Sequence, residues 1–501
     1  MGLGRVFDLF DKGKFEECIV AVEALHGEEK LQGEFIRIFA LLEGTGDIRQ
    51  ALAVSNQLME LGQESIKRQI ISLITKSVVL WWQARYREAI REIETAEHLI
   101  SQMNKKDRNE FQFIEGAMKY AQATFYHGIG KLDHALAILN KGIKIVEKPP
   151  FPWKSLVSYY YSGIGNVYEE KGEFNKALDS YLISLAKSKE SLHIQSFIPN
   201  YVSNIYHILG DLDLSLEYAQ RALKISRKIG LNRAIFRSLL NIGSINQSKG
   251  ELQLAIKNFQ ECLSLTKEIG YDHFIALSYY KLIGVLLQER DSQERISYYI
   301  DQLLKIAKKT QSYDVKIQAK LAEAMVLKQS NRFQDKGHAQ DIFRQIVDEK
   351  NASQNYRILA VLNLSELLLV ELKVFGEEEI YNEILQSLEY LSDLAKELNS
   401  NSLKIETLIL QSKFALIEGS AEKANTLLET ADNIAKEKEL KQLDQKVNRE
   451  QKVLNKELNK WIELAERNAP LIERIEHSQL KEYINEAIKL RELTKDRSYM
   501  R

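Results

Sequence analysis

The sequence predicts an all-α fold, a solenoid in which antiparallel helix hairpins stack side by side. Only 5 of the 501 residues are proline, and such scarcity favours helix almost throughout, because proline breaks helix interiors. A glycine turn also recurs at nearly constant spacing. Gly172 begins the turn Gly-Glu-Phe-Asn-Lys-Ala, and similar turns begin at Gly210 and Gly250, after a further 38 and 40 residues. A motif that returns at this period indicates one supersecondary unit repeated along the chain.

The clearest hairpin spans residues 161–186. Its first helix carries a stripe at positions i, i+3, i+4 and i+7, formed by Tyr161, Ile164, Gly165 and Tyr168. Gly172 then tolerates the left-handed conformation that ends a helix. In the second helix, Ala177 is small where that helix must cross Gly165 closely. One hairpin cannot bury its own apolar face, so neighbouring hairpins must stack to complete a core.

The same turn can be followed in both directions and gives about eleven hairpins. Further turns begin at Gly13, Gly46, Ala84 and Gly130 upstream, and at Arg290, near Asn331, and at Gly376 and Gly419 downstream. We expect N-terminal hairpins over residues 2–67, the most regular hairpins over 68–310, and degenerate hairpins over 311–440. We expect residues 441–501 to form separate C-terminal helices.

The C-terminal region has a seven-residue apolar period, carried by Leu440, Val447, Leu454 and Trp461. Such a heptad can form a coiled-coil homodimer. Alternatively, the helix caps the exposed face of the last hairpin, as solenoids require. Glu450 and Glu457 occupy positions where a coiled coil would need a second apolar stripe. Capping, and therefore a monomer, is the favoured alternative.

The run Ile164-Gly165-x-x-Tyr168, followed by Ala177 and Tyr181, resembles the tetratricopeptide repeat (TPR). The period of about 40 residues exceeds the usual period of about 34. It is similar to the longer repeats of kinesin light chains, mitotic-spindle adaptor proteins and bacterial peptide-sensing receptors. The resemblance covers most of residues 2–440 and implies a right-handed α-solenoid, the TPR superhelix. It leaves the ligand open, because these repeats serve many unrelated functions.

Composition argues against several classes of partner. The chain has 69 basic and 70 acidic side chains, a formal net charge of -1, and so lacks the electrostatic footprint of a nucleic-acid-binding or anionic-membrane-binding protein. No long uninterrupted apolar run predicts a membrane span. The two cysteines, Cys18 and Cys262, are far apart and form no pair pattern, which suits the reducing cytoplasm.

No motif predicts catalysis, a cofactor or a metal site. Gly163-x-Gly165 lacks the third glycine of a dinucleotide-binding loop and falls inside a predicted helix. The 9 histidines are scattered and never occur as His-x-x-x-His, a spacing that would place two metal ligands on one helix face. Cys18 and Cys262 take small inward positions, which predicts buried structural thiols. We therefore expect no enzyme activity.

Helix geometry selects one face of the first helices for binding. Asn166 lies two residues from both Ile164 and Tyr168, about 200° around the helix, so it points away from the inward stripe. Asn204 has the same position one hairpin later. The resemblance implies that this face lines a concave groove, where asparagines bind the backbone of an extended peptide through paired amide hydrogen bonds. The candidate groove residues are Asn166, Asn204, Ser162, Asn200, Tyr159, Glu169, His207, Ser244, Gln247, Tyr120 and Trp81. Trp81 and Trp82 point about 100° apart, so we expect one of them to pack between hairpins.

The favoured function is a non-enzymatic scaffold for protein–protein interaction that binds a peptide or partner protein along the concave groove. Two alternatives remain open at the level of the sequence. One is a peptide-sensing signalling receptor that acts on an effector in trans. The other is a regulatory subunit of an enzyme that is a separate chain.

Overall fold

The computed structural model describes residues 2–61, 65–83, 85–148, 153–270, 272–289, 293–310, 312–349, 352–397, 400–438 and 440–493. Within these ranges all regular secondary structure is helical. The first half contains α1 (Leu3–Asp11), α2 (Phe15–Glu23), α3 (Gly27–Phe39) with a π-helical extension (Ala40–Thr45), α4 (Ile48–Leu61), α5 (Ile66–Trp82), α6 (Tyr86–Gln102), α7 (Lys105–Glu110), α8 (Gln112–Gly128), α9 (Leu132–Val146), α10 (Leu156–Glu170), α11 (Phe174–Lys187), α12 (Leu192–Ile208) and α13 (Leu212–Ile229). The second half contains α14 (Asn232–Ser248), α15 (Leu252–Ile269), α16 (Asp272–Glu289), α17 (Gln293–Lys309), α18 (Tyr313–Lys328), α19 (Phe333–Asp348), α20 (Gln354–Phe375), α21 (Glu378–Glu397), α22 (Asn401–Ile417), α23 (Ala421–Glu437), α24 (Lys441–Glu466), α25 (Leu471–His477) and α26 (Leu480–Leu493).

The helices pair in sequence as antiparallel hairpins, which confirms the predicted all-α solenoid. The described residues form eleven hairpins, from α1–α2 to α22–α23. The first helices of successive hairpins contact one another, so that α8, α10, α12, α14 and α16 lie side by side as an inner layer. The second helices form the outer layer. No described helix is both long and apolar enough to cross a membrane.

The turn glycines adopt the predicted conformation. Gly172, Gly210 and Gly250 have φ values of 74°, 82° and 80°, in the left-handed region where a side chain is strained. The predicted close crossing of the two helices at Gly165 is also present, since a Cβ added there would lie 2.5 Å from Cε1 of Tyr181 in the facing helix. The predicted turns at Ala84 and at residues 290–292 lie outside the described residues.

The C-terminal helices fold back onto the solenoid. The four heptad residues, Leu440, Val447, Leu454 and Trp461, are buried in the same core as the last hairpins, and α24 packs against α22 and α23. This arrangement is the one that a capping helix would have. After α25, α26 packs against α20 and α22 and reaches the inner-layer helix α12.

Distant hairpins also meet as the solenoid winds. A Cβ added to Gly172, in the fifth hairpin, would collide with the side chain of Ser402, at the start of the eleventh. Near the N-terminus, Ser155 donates a hydrogen bond to Asp11 (2.5 Å). Hairpins that are far apart in sequence therefore come together, and we call the space along the inward face of the inner layer the channel.

Candidate functional site

The inward face of α8, α10, α12 and α14 lines a channel that contains two cavities. The larger, which we call the aromatic cavity, has a volume of about 210 Å³. The smaller, which we call the polar cavity, has a volume of about 60 Å³ and lies between α12, α14, α16, α20 and the end of α26. Tyr201, Arg237 and Phe274 line both cavities, which are therefore adjacent.

The aromatic cavity is walled mainly by rings. Tyr120 and Tyr159 meet edge to face, with ring centroids 5.8 Å apart, and burial raises the pKa of both phenols. Two cations lie on the same wall: the Arg233 guanidinium is 4.5 Å from the centroid of Trp82, and Arg237 covers a further tyrosine. An engineered cavity of about 150 Å³ binds benzene. The aromatic cavity therefore has room for one aromatic or branched apolar side chain.

His193 fixes the end of this cavity where the N-terminal hairpin docks. Its ring lies edge-on to Phe10 and Phe15, at 5.2 Å in each case, and its Nδ1 is 2.6 Å from the hydroxyl oxygen of Tyr159. Burial, assisted by the charge of Arg233, lowers the pKa of His193 to about 3. The imidazole is therefore neutral at physiological pH.

The polar cavity is bordered by amide side chains of the inner layer. Asn200 is 1% exposed; its Nδ2 donates to Ser238 Oγ (2.9 Å), whereas its Oδ1 has no hydrogen-bond partner among the described residues. Buried carbonyl oxygens normally have a partner. A cavity of this size has room for several waters. Asn200 therefore offers an acceptor at the cavity.

His207 lies at the same cavity. Its Nε2 is 2.8 Å from Ser248 Oγ. Burial, with a contribution from the charge of Lys281, lowers the pKa of His207 to about 4. This imidazole, too, is neutral at physiological pH and can take part in uncharged hydrogen bonds.

A hydrogen-bond network joins the two asparagines that the sequence singled out. The Tyr181 hydroxyl lies 2.8 Å from Asn166 Oδ1 and 2.6 Å from Glu169 Oε2, and it can donate to either oxygen. Asn204 Nδ2 donates to Glu169 Oε1 (2.9 Å). The network connects α10, α11 and α12, and all four side chains are at least partly buried. It holds the two amides in fixed positions on the channel wall.

The structure distributes the predicted groove residues over both cavities. Tyr120, Tyr159, Ser162, Asn166 and Trp81 border the aromatic cavity, and Asn200, Asn204, His207 and Ser244 border the polar cavity. Glu169 links the two sets through the network. Gln247 lies outside both and donates a hydrogen bond to Gln288 (3.0 Å).

The two tryptophans differ as the sequence led us to expect. Trp81 is buried and stacks on Phe125 of α8, with ring centroids 5.1 Å apart. It also contacts Tyr86 of α6, so it packs between hairpins. The ring of Trp82 instead lies against the guanidinium of Arg233.

Several channel residues escaped the sequence analysis: His193, Arg233, Arg237, Arg491 and Glu492. They enter the channel from helix starts or from the C-terminal helix, and they do not share the repeated position of Asn166 and Asn204. A search for charged residues in the first two turns of each inner helix would have found the two arginines of α14.

The described residues hold no group of three histidine, cysteine, aspartate or glutamate side chains arranged to bind a metal ion. Both cysteines are fully buried, and burial raises the pKa of Cys18 and of Cys262 to about 12. Both thiols therefore remain protonated, which is the behaviour of structural cysteines.

Comparison with known proteins gives one match in sequence. Residues 202–229 and 236–269, which cover most of α12 to α15, match the family model of the tetratricopeptide repeat. No curated protein sequence is significantly similar to the chain.

Three solved structures with a similar course of the chain are distant from it in sequence. One is a signal transduction ATPase with numerous domains from Pyrococcus horikoshii that has a tetratricopeptide-repeat sensor (15% identity, TM-score 0.47); the similarity covers 68% of this chain and 54% of that protein. Another is a Rap protein complexed with competence and sporulation factor (15% identity, TM-score 0.40, 78% of this chain and 99% of that one). A third is the quorum sensor NprR from B. thuringiensis in its apo form (15% identity, TM-score 0.41, 77% and 96%).

Proposed function

We propose that this chain, which is a tetratricopeptide-repeat protein, binds a peptide segment of a partner protein inside its channel. The observation that carries the proposal is the pairing of an aromatic cavity with an adjacent amide-lined cavity on one continuous wall. Peptides need both kinds of surface, because the backbone has a donor and an acceptor at each residue while side chains supply apolar anchors. The proposed role is that of a non-enzymatic scaffold.

The channel is suited to this task because its polar groups are already held in place. The Tyr181 and Glu169 network positions Asn166 and Asn204 before any ligand arrives, so little side-chain entropy remains to be lost on binding. Asn200 Oδ1 has no hydrogen-bond partner to give up among the residues that the structure describes. A peptide N–H that reached this oxygen would satisfy a buried acceptor.

We propose that the chain acts as a monomer in the cytoplasm. The heptad stripe that a coiled-coil dimer would use is buried within the chain. Two buried, protonated thiols suit a reducing compartment.

A peptide library displayed on phage tests the proposal with the full chain as bait. Enriched peptides are synthesised, and their Kd values are measured by fluorescence anisotropy. Replacing Asn166 and Asn204 together with Ala should weaken binding by more than about tenfold, because two or more hydrogen bonds of about 0.5–1.5 kcal/mol each are lost. Thermal denaturation of the variant shows separately how much stability the network contributes.

The matched control is Asn258→Ala. Asn258 is half-buried on the outer helix α15, away from both cavities, and its side chain donates to the carbonyl of Leu254 within its own helix (2.7 Å). This variant should bind the peptides as the native chain does. If the double variant at Asn166 and Asn204 kept the native affinity while folded, the channel would not be the peptide site.

A further inference from the structure

The C-terminal helix α26 is an amphipathic helix seated in the channel. Its buried residues, Leu480, Tyr483, Ile484, Ala487 and Ile488, follow the spacing i, i+3, i+4, i+7 and i+8. They face α20 and α22, and the helix also contacts α12. This is the pattern by which an amphipathic helix docks its apolar face into a groove of another protein. Here the groove and the helix belong to the same chain.

The tip of α26 is held by side chains of the inner layer. Lys281 of α16 donates from Nζ to the carbonyl of Glu492 (3.2 Å), and Asn355 of α20 donates from Nδ2 to the carbonyl of Arg491 (3.3 Å). These carbonyls belong to the last turn of the helix and have no partner within it. Arg491 Nη2 also donates to Glu406 Oε2 of α22 (2.7 Å). The channel thus binds the terminal backbone carbonyls of α26 and the guanidinium of Arg491, which belong to the same chain.

The same tip reaches the polar cavity. Arg491 and Glu492 border it together with Asn200, Asn204 and His207. The space next to the predicted groove residues is therefore partly filled by α26. A ligand in the polar cavity would touch α26 or replace its tip.

The backbone around α26 is strained. Among the described residues other than glycine, positive φ occurs only at Asn468 (48°) and Gln479 (52°). These residues lie just before α25 and just before α26. Asparagine tolerates this conformation, whereas glutamine has no such preference. Release of α26 would let Gln479 return to an ordinary conformation, so the strain favours release.

Part of the docking interface is ionic. Arg491 of α26 pairs with Glu406 of α22. Lys413 of α22, which forms an ion pair with Glu450 of α24 (2.8 Å), donates to the carbonyl of Ser478 just before α26 (3.3 Å). Buried ion pairs cost desolvation on formation, so they specify a geometry more than they stabilise it. An interface of this kind can be exchanged for another helix that supplies the same groups.

We propose that α26 is a displaceable occupant of the channel, and that the external ligand of this region is an amphipathic helix of the same pattern with a basic residue at its end. The inference rests on the proposed function and names the class of ligand and the element that competes with it. The tethered α26 keeps the site closed until a partner helix replaces it.

The test uses the full chain and a fluorescein-labelled synthetic peptide of residues 479–493. The native chain should bind it weakly, because the tethered copy competes at an effective concentration on the order of millimolar. Arg491→Glu places a second negative charge beside Glu406 and should release α26. The free peptide, which still carries arginine, should then bind at least tenfold more tightly in fluorescence anisotropy.

Two further variants serve as controls. Arg449→Glu reverses a charge that pairs with Glu486 on the exposed side of α26 (3.2 Å) and should leave peptide binding unchanged. The double reversal Glu406→Arg with Arg491→Glu restores the ion pair within the chain and presents a like charge to the peptide. It should bind the peptide as weakly as the native chain.

Hydrogen exchange of residues 480–493 reports release directly and should be faster in Arg491→Glu than in the native chain. Should that variant fail to fold, Arg491→Ala removes the ion pair without reversing the charge and should give the same result in smaller measure. Peptide binding within twofold of the native value in a folded Arg491 variant would overturn the inference, whether or not exchange rises. Library peptides whose binding is weakened by the Asn166 and Asn204 variant but is unchanged by the Arg491 variants would support the proposed function. That result would contradict this inference alone.

Discussion

Acidification should detach the N-terminal hairpin, because the hairpin docks on a histidine that must stay neutral. His193 is enclosed by Phe10 and Phe15 on one side and hydrogen-bonds with Tyr159 on the other. Its pKa in the folded chain is lowered to about 3 by burial, with Arg233 as a secondary cause. When the hairpin detaches, the His193 ring on α12 becomes accessible to water and its pKa rises towards the ordinary value of about 6.5.

The sign and size of the effect follow from this difference. The lowered pKa means that the docked state disfavours the protonated ring, so docking is fully stable above pH 6.5 and weakens as the pH falls from 6.5 towards 3. Linkage gives a loss of about 2 kcal/mol at pH 5 and at most about 5 kcal/mol below pH 3, at about 1.4 kcal/mol per pKa unit. A loss of 2 kcal/mol is about a thirtyfold increase in the detached population.

Hydrogen exchange of residues 3–23, corrected for the intrinsic effect of pH, measures this population. The free energy of opening in the native chain should fall by about 2 kcal/mol between pH 7 and pH 5. His193→Phe keeps the ring in the aromatic cluster but cannot be protonated, so the fall should largely disappear, although the absolute stability changes as Tyr159 loses its partner. His98→Gln, at an exposed position of α6, should retain the native dependence. An equal fall in His193→Phe and in the native chain would refute the reasoning.

Two further predictions concern stability. Tyr181→Phe removes the hydroxyl that bonds with Glu169 inside the network, and it should lower the free energy of unfolding by about 1–3 kcal/mol, seen as a lower Tm. Gly172→Ala should destabilise more than Gly250→Ala: both glycines have positive φ, but an added Cβ meets Ser402 at the first and open space at the second. Chemical denaturation would measure the difference, and equal losses would show that contact with Ser402 does not constrain the turn.

The sequence predicted the features that are determined within a single hairpin, namely its turn and the orientation of its first helix. A left-handed turn requires glycine whatever surrounds it, so the period was readable from Gly172, Gly210 and Gly250. The turns set the phase of each first helix, and the phase placed Asn166 and Asn204 on the channel side. The heptad spacing alone fitted capping and dimerisation equally well; Glu450 favoured capping, and the structure shows that residue paired with Lys413.

The sequence was not informative about contacts between distant hairpins. Small rotations between neighbouring hairpins add up along the solenoid, and no local motif encodes their sum. For this reason the meeting of Gly172 with Ser402, the approach of Arg233 to Trp82 and the return of α26 could not be foreseen. The candidate site was therefore predicted in its repeated part and missed where single residues enter from elsewhere.

The position of the network within the solenoid bears on how a ligand would act. One large apolar cluster extends from Leu3 to Ala234 and another from Ile235 to Ile488. Between them, a smaller apolar cluster joins α11 to α12, in which Tyr181 and Leu185 pack with residues such as Ile198. Gln195 of α12 also donates a hydrogen bond to the carbonyl of Leu185 in α11 (3.3 Å).

Apolar packing and side-chain hydrogen bonds are therefore combined at the junction between these two hairpins. The network crosses the same boundary, since Glu169 of α10 holds Asn204 of α12 (2.9 Å). A peptide that contacted both Asn166 and Asn204 would bridge this junction of the solenoid. Its binding would therefore stabilise one spacing of the two halves, and any surface formed by both halves would respond to the ligand.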